Sequence, residues 1–173
     1  MSDIPDQLTL KVNRDREGKR DVVARRIGVG VLIVVLALGL LNLFGQRPST
    51  MTEDAEAATL EVYAPERVRG GLFYQARFTI EARREVREAT LVLDPGWVEG
   101  ITINTLAPGP VGEASRNGDL SFELGRIPAG DKHVFFLQLQ VNPTNVGHRS
   151  QGVQLYDGDE LLATIDRSIT VFP

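Results

Sequence analysis

Two rhythms divide this chain. From Ile27 to Phe44, eighteen residues pass without a charged side chain, and thirteen of them are Ile, Val, Leu or Phe. At about 1.5 Å of rise per residue, an α-helix over that run reaches roughly 27 Å, close to the hydrocarbon thickness of a bilayer. The pattern predicts one transmembrane helix over residues 27–45. Gly28, Gly30, Ala37, Gly39 and Asn42 are its only breaks, and Asn42 stands one turn from the far end, where headgroups or water can satisfy its amide. Close helix–helix pairing is not expected, because no pair of small residues four apart lies within the membrane; Ala24 and Gly28 have the spacing but stand at its edge.

Beyond residue 58 the period falls to two. In Leu72–Ala82 the even positions Leu72, Tyr74, Ala76, Phe78 and Ile80 are apolar, and the odd ones after Phe73 are polar, which is the signature of a half-buried strand. Phe135, Leu137, Leu139 and Val141 repeat the rhythm with Gln138 and Gln140 outward. Ile165, Ile169 and Val171 do the same near the C-terminus, alternating with Asp166, Ser168 and Thr170. Shorter strands are predicted at Thr59–Tyr63, Ala89–Leu93, Gly100–Asn104, Leu120–Leu124 and Gly152–Tyr156. Asn117-Gly118 and Asp157-Gly158 are pairs that two-residue hairpins favour, because their central positions need positive φ. Asp94-Pro95-Gly96, Pro108-Gly109-Pro110 and Pro128-Ala129-Gly130 are further breaks. Short strands with a break about every ten residues predict an all-β, immunoglobulin-like antiparallel sandwich of seven to nine strands over residues 58–173.

The two remaining segments are polar. Residues 1–26 mix seven basic and five acidic side chains and are expected to form a mostly flexible cytoplasmic tail, with strand-like alternation only in Leu8–Val12. Residues 46–57 are expected to form a linker. Charge sets the orientation. Lys11, Arg14, Arg16, Lys19, Arg20, Arg25 and Arg26 precede the apolar run, whereas only Arg47 follows within twenty residues. The positive-inside rule then holds the N-terminus in the cytoplasm and the sandwich outside the plasma membrane. Ala55-Glu56-Ala57 has the form of a signal-peptidase site. It lies far beyond the apolar run, which is itself longer than a usual signal core, so an uncleaved anchor is expected. Arg25-Arg26 followed by Ile27-Gly28-Val29 is a poor twin-arginine signal.

A resemblance supports the outer domain. Phe122-Glu123-Leu124-Gly125-Arg126-Ile127-Pro128-Ala129-Gly130-Asp131, the long strand after it, and Pro143-Thr144-Asn145-Val146-Gly147 are similar to the immunoglobulin-like conserved-repeat domains of bacterial surface proteins. The closing hairpin from Val153 through Asp157-Gly158 to Val171 is similar as well. The resemblance implies a stalk, spacer, adhesion or assembly role, in a single copy where stalks carry several.

Composition narrows the chemistry. A net charge of -4 lacks the basic excess of a nucleic-acid binder, and the absence of cysteine removes disulfides, thiolate metal sites and thiol nucleophiles. His133 and His148 are the only histidines and form no zinc spacing. Asp157-Gly158-Asp159-Glu160 is too short for a calcium loop, Gly70-Gly71 lacks the lysine and helix of a phosphate loop, and no serine stands in a G-x-S-x-G elbow. No catalytic residue, cofactor or metal is therefore expected, and the chain is read as a non-enzyme. The expected partners are the lipid bilayer and another membrane or envelope protein. Two features are candidates for interaction. Arg83, Arg84 and Arg87 crowd the connection Arg83–Glu88, which is either a solvated turn or a charged docking loop. Trp97, after Pro95-Gly96, is either a core anchor or a platform for a glycan or peptide. The second option makes the domain a ligand-binding receptor, the alternative to an accessory module.

Overall fold

The computed structural model describes residues 11–41 and 45–173, in two compact units taken separately below. The first is a single helix, α1 (Lys11–Leu40), extended by a bond from the Leu41 amide to the Ala37 carbonyl at 2.9 Å. Within it, Arg20–Leu40 is long and apolar enough to cross a bilayer, and none of that window is buried against protein. Ile33 and Leu36 are 60% and 65% exposed, so among the described residues nothing covers the apolar surface.

The helix begins well before the apolar run. Lys11–Arg26, expected as part of a flexible tail, is helical, and Lys11 and Val12 belong to it rather than to a strand; Met1–Leu10 lie outside the described residues. Mixed charge is compatible with helix when opposite signs fall one turn apart, as Asp21 and Arg25 do, and a long apolar helix supplies a nucleus from which such a stretch can propagate. Asn42, Leu43 and Phe44, the end of the expected span, lie outside the described residues.

The second unit is built from thirteen strands: β1 (Pro48–Asp54), β2 (Ala58–Pro65), β3 (Arg67–Arg69), β4 (Phe73–Ala82), β5 (Val86–Leu93), β6 (Ile101–Ala107), β7 (Gly112–Arg116), β8 (Asp119–Ile127), β9 (Lys132–Val141), β10 (Gly147–Ser150), β11 (Val153–Asp157), β12 (Glu160–Ile165) and β13 (Ser168–Phe172). One five-stranded sheet has the order β1-β2-β4-β9-β6, and a second has the order β12-β11-β5-β8-β7. A small third sheet, β10-β13-β3, contains the one parallel pair, β13 with β3. The chain passes repeatedly from one large sheet to the other, at β4–β5, β5–β6, β6–β7 and β8–β9, so that their inner faces share one core. This is an immunoglobulin-like antiparallel β-sandwich.

Period-two alternation builds that core. Tyr74, Ala76, Phe78 and Ile80 of β4 and Phe135, Leu137, Leu139 and Val141 of β9 are all buried, and they meet Leu91 and Leu93 of β5, Phe122 of β8 and Leu155 of β11. Each fully buried large apolar side chain contributes about 1.5–3 kcal/mol. Aromatic rings link the layers: Trp97 to Phe78 at 5.3 Å, Phe78 to Phe135 at 6.2 Å and Phe135 to Phe122 at 5.2 Å between centroids. Leu72 departs from expectation. It lies before β4 begins and is 44% exposed.

The strands beyond the expected seven to nine are short or polar. β1 corrects the reading of residues 46–57 as a linker, since it pairs along its whole length with β2, from Pro48↔Pro65 to Asp54↔Thr59. Only Met51 within it packs on the core, so a polar edge strand of this kind leaves no period-two trace. The sandwich therefore starts before residue 58. Asn117 (φ 55°) and Gly118 (φ 96°) form the expected two-residue hairpin between β7 and β8. The other hairpin is displaced by one: Asp157 pairs with Glu160, which leaves Gly158 and Asp159 as the loop.

Candidate interaction surfaces

The sandwich has two ends with opposite chemistry. At one end lie the start of β4, the end of β9, the turn before β6 and the β9–β10 connection. Backbone bonds tie them together: Val141 donates to Leu72, Gly71 to Val141, and Asn142 to Gly100. The other end gathers the last residues of β1 and β4, the first of β2 and β9, and the β4–β5 connection, where Arg83 and Arg84 both donate their amides to the Ala57 carbonyl and Gly130 donates to Ala82.

Inside the first end is a buried polar cluster. Pro95–Trp97 forms one 3-10 turn, and it brings the Trp97 indole wholly inside. A side chain at Gly96 would collide with the Ser150 carbonyl, so this close approach requires glycine. The indole Nε1 donates to the carbonyls of Gln151 (3.0 Å) and Gly152 (3.1 Å). Arg167, only 6% exposed, lies over the ring at 4.9 Å from its centroid. Its Nη1 donates to Gln151 Oε1 at 2.8 Å, and its Nη2 to the carbonyls of Pro65 (3.0 Å) and Ala64 (3.4 Å). Gln151 Nε2 donates in turn to the Tyr74 hydroxyl at 3.1 Å.

These contacts satisfy a buried cation with neutral acceptors and an aromatic face. Burial pulls the Arg167 guanidinium down to about 10, against the pull of Tyr74 and Glu66. Burial likewise pushes the Tyr74 phenol up to about 12, against the Gln151 hydrogen bond and the Arg167 charge. At neutral pH one stays charged and the other protonated, so neither is poised to exchange a proton. The cluster joins β2, β4 and the approaches to β11 and β13 as a structural clasp.

Trp97 as a ligand platform is thus corrected: no part of its ring reaches solvent, and it is the core anchor. Arg167 and Gln151 were not singled out from the sequence, and Tyr74 was read only as an inward position of its strand. A signal for Arg167 existed, because it shares the parity of Ile165, Ile169 and Val171, all of which face inward.

Arg83 and Arg84 of the β4–β5 connection stand at the other end, away from Trp97, whereas Arg87, expected in that connection, lies on β5. Arg83 pairs with Asp54 at 2.7 Å and also donates to Thr59 Oγ1 and the Ala55 carbonyl. Arg84 pairs with Glu160 at 2.7 Å. Arg126 with Glu85, and Lys132 with Glu81 at 2.6 Å, add two further ion pairs. Arg87 is exposed beside a shallow groove lined by Thr90, Val111, Glu123 and Asp159. Two of the three arginines therefore fasten strands of their own domain.

The remaining candidates are dispersed. His133 lies half-buried near the charged end, its pKa lowered by burial and its Nε2 without a partner, whereas His148 is exposed on β10 with Nδ1 3.2 Å from Thr170 Oγ1. Asp157 accepts the amides of Arg87 and Glu88, both at 2.9 Å; Asp159 pairs with Arg116 and Glu160 with Arg84. Among the described residues, no three His, Asp or Glu side chains are grouped as metal ligands.

No family model matches the chain, and no curated protein matches it. Among solved structures, the CARDB domain of a Pyrococcus furiosus protein aligns at 10% identity, covering 73% of this chain and 97% of its own, with a TM-score of 0.43. The chitin-binding domain of a hyperthermophilic chitinase from Pyrococcus furiosus aligns at 15% identity, covering 65% of this chain and 98% of its own, with a TM-score of 0.40. At these scores neither neighbour assigns a ligand to this chain.

Proposed function

We propose that the chain is a non-catalytic, single-pass membrane protein that displays one immunoglobulin-like domain outside the plasma membrane and contacts another envelope protein there. The observation that carries this reading is the pairing of an uncovered apolar helix, Arg20–Leu40, with a separate unit that completes its own core. An exposed apolar surface of that length is costly in water and at home in lipid. The excess of Lys and Arg before the helix argues for the N-terminus inside. A single anchored copy of a surface-protein repeat domain is the form this reading takes.

The non-enzymatic part rests on how the titratable groups are used. The buried pair, Tyr74 and Arg167, is shifted away from neutrality, and the carboxylates Asp54, Glu81, Asp157, Asp159 and Glu160 are each engaged by a neighbour. The receptor alternative loses the residue it was built on, since Trp97 is enclosed. Affinity capture from detergent-solubilised membranes, with the full chain and with a chain truncated after Gln46, tests the proposal. A partner retained by the full chain and lost on truncation is expected. Identical partner sets for the two would overturn the interaction role.

A further inference from the structure

The apolar end of the sandwich carries a row of exposed hydrophobic side chains that the core does not use. Leu72 precedes β4 and Phe73 opens it, Val98 follows the Trp97 turn, and Val146 tips the β9–β10 connection. Phe73 is 55% exposed, a large ring left in solvent at a strand end. Asn145 gathers these loops by donating Nδ2 to the Glu99 and Gly100 carbonyls at 3.3 and 3.1 Å. Arg67 and Arg69 are exposed on β3 beside them.

The chain's own path says what this end faces. Gln46 donates its side-chain amide to the Phe73 carbonyl at 2.8 Å. Only four residues of chain, 42–45, separate Leu41, at the close of the apolar helix, from Gln46. The steps from Leu41 to Gln46 span at most roughly 17 Å even when fully extended. The polar layer of a bilayer is itself about 5–7 Å deep on each side. The bond between Gln46 and Phe73 therefore fixes the apolar end as the place where the chain enters the β-domain. Resting on the membrane-anchored reading, we propose that Leu72, Phe73, Val98 and Val146 form a foot that rests in the headgroup layer of the outer leaflet, with Arg67 and Arg69 facing anionic headgroups. Aromatic and aliphatic side chains rimmed by arginine are the composition that layer takes up. The opposite end, with its ion pairs and exposed Asp131, is unsuited to that layer.

The chain contains no cysteine, so a fluorophore can be placed at one position at a time. Phe73→Cys, Val146→Cys, Asp131→Cys and Leu36→Cys, each labelled in the full chain and reconstituted into phosphatidylcholine–phosphatidylglycerol vesicles, are compared with and without lipids carrying a nitroxide quencher, placed near the headgroup for positions 73, 146 and 131 and deep in the acyl chain for position 36. Circular dichroism confirms the β-domain in each variant. Labels at 73 and 146 are expected to be quenched severalfold more than the label at 131, and the label at 36 to be quenched as well. Quenching at 36 but equal, weak quenching at 73, 146 and 131 would overturn the foot and leave the anchor standing. Absence of quenching at 36 would overturn the anchor and the foot with it.

Discussion

The end of the sandwich around Phe73 is held from within, by Arg167, Gln151, Tyr74 and Trp97 under a layer of β-strands. The end around Ala82 is held from without, by Arg83–Asp54, Arg84–Glu160 and Lys132–Glu81 pairs whose side chains are all more than half exposed. Both arrangements tie distant strands together, yet they differ in energy. Water and salt screen the outer pairs, so each is worth about 0–1 kcal/mol. The inner cluster has no water to replace a lost partner, so each of its contacts is costly to remove. Buried polar contacts gather at the apolar end, and short exposed ion pairs at the other.

Trp97→Ala should break this comparison most forcefully. It empties the largest fully buried side chain and strips Arg167 of its aromatic face, so the unfolding midpoint in denaturant should fall by the equivalent of about 3–5 kcal/mol. Arg167→Met comes next, at about 2 kcal/mol, because the Ala64 and Pro65 carbonyls and Gln151 Oε1 lose a charged donor. Equal and small losses for Arg167→Met and Arg84→Ala would erase the contrast between the ends.

Alkaline pH sharpens it. The Tyr74 phenol ionises near 10 in the unfolded chain but near about 12 when folded, so between those values the unfolded state binds fewer protons and stability falls as pH rises. Arg167 acts in the opposite sense: burial pulls its pKa below its ordinary value, to about 10, so its burial penalty eases as pH rises through 10. The two slopes oppose each other in the intact cluster. Tyr74→Phe should uncover the second, making stability rise across that window relative to the parent by up to about 2 kcal/mol in denaturant titrations. The smallest effect is expected at the charged end. A double-mutant cycle of Arg84→Ala and Glu160→Ala should give a coupling under about 1 kcal/mol that shrinks further in high salt.

These contrasts bear on what could be read before the structure. The strands with one wet and one dry face were legible, since Tyr74–Ile80 and Phe135–Val141 carry a buried apolar side chain at every second position, despite Phe136 and Thr79 at outward ones. β1 was not, because an edge strand with one packed methionine has no pattern to detect. The helical extension to Lys11 was hidden by its mixed charge, which resembles a solvated tail until the helix behind it supplies a nucleus. Arg167 stands in the inward register of its strand, but a charge at such a position is discounted until the carbonyls, Gln151 and Trp97 that accommodate it are known. The role of Arg83 and Arg84 depended on partners 24 residues or more away in sequence, beyond any local pattern.

The central claim is that the β-domain is displayed outside the membrane while the N-terminus stays inside. Whole cells producing Asp131→Cys or Ser2→Cys, treated with a membrane-impermeant maleimide before and after permeabilisation, test it directly, because the parent chain offers no thiol. Position 131 should label in intact cells and position 2 only after permeabilisation. Labelling of position 2 in intact cells, with position 131 protected until the membrane is opened, would contradict the account.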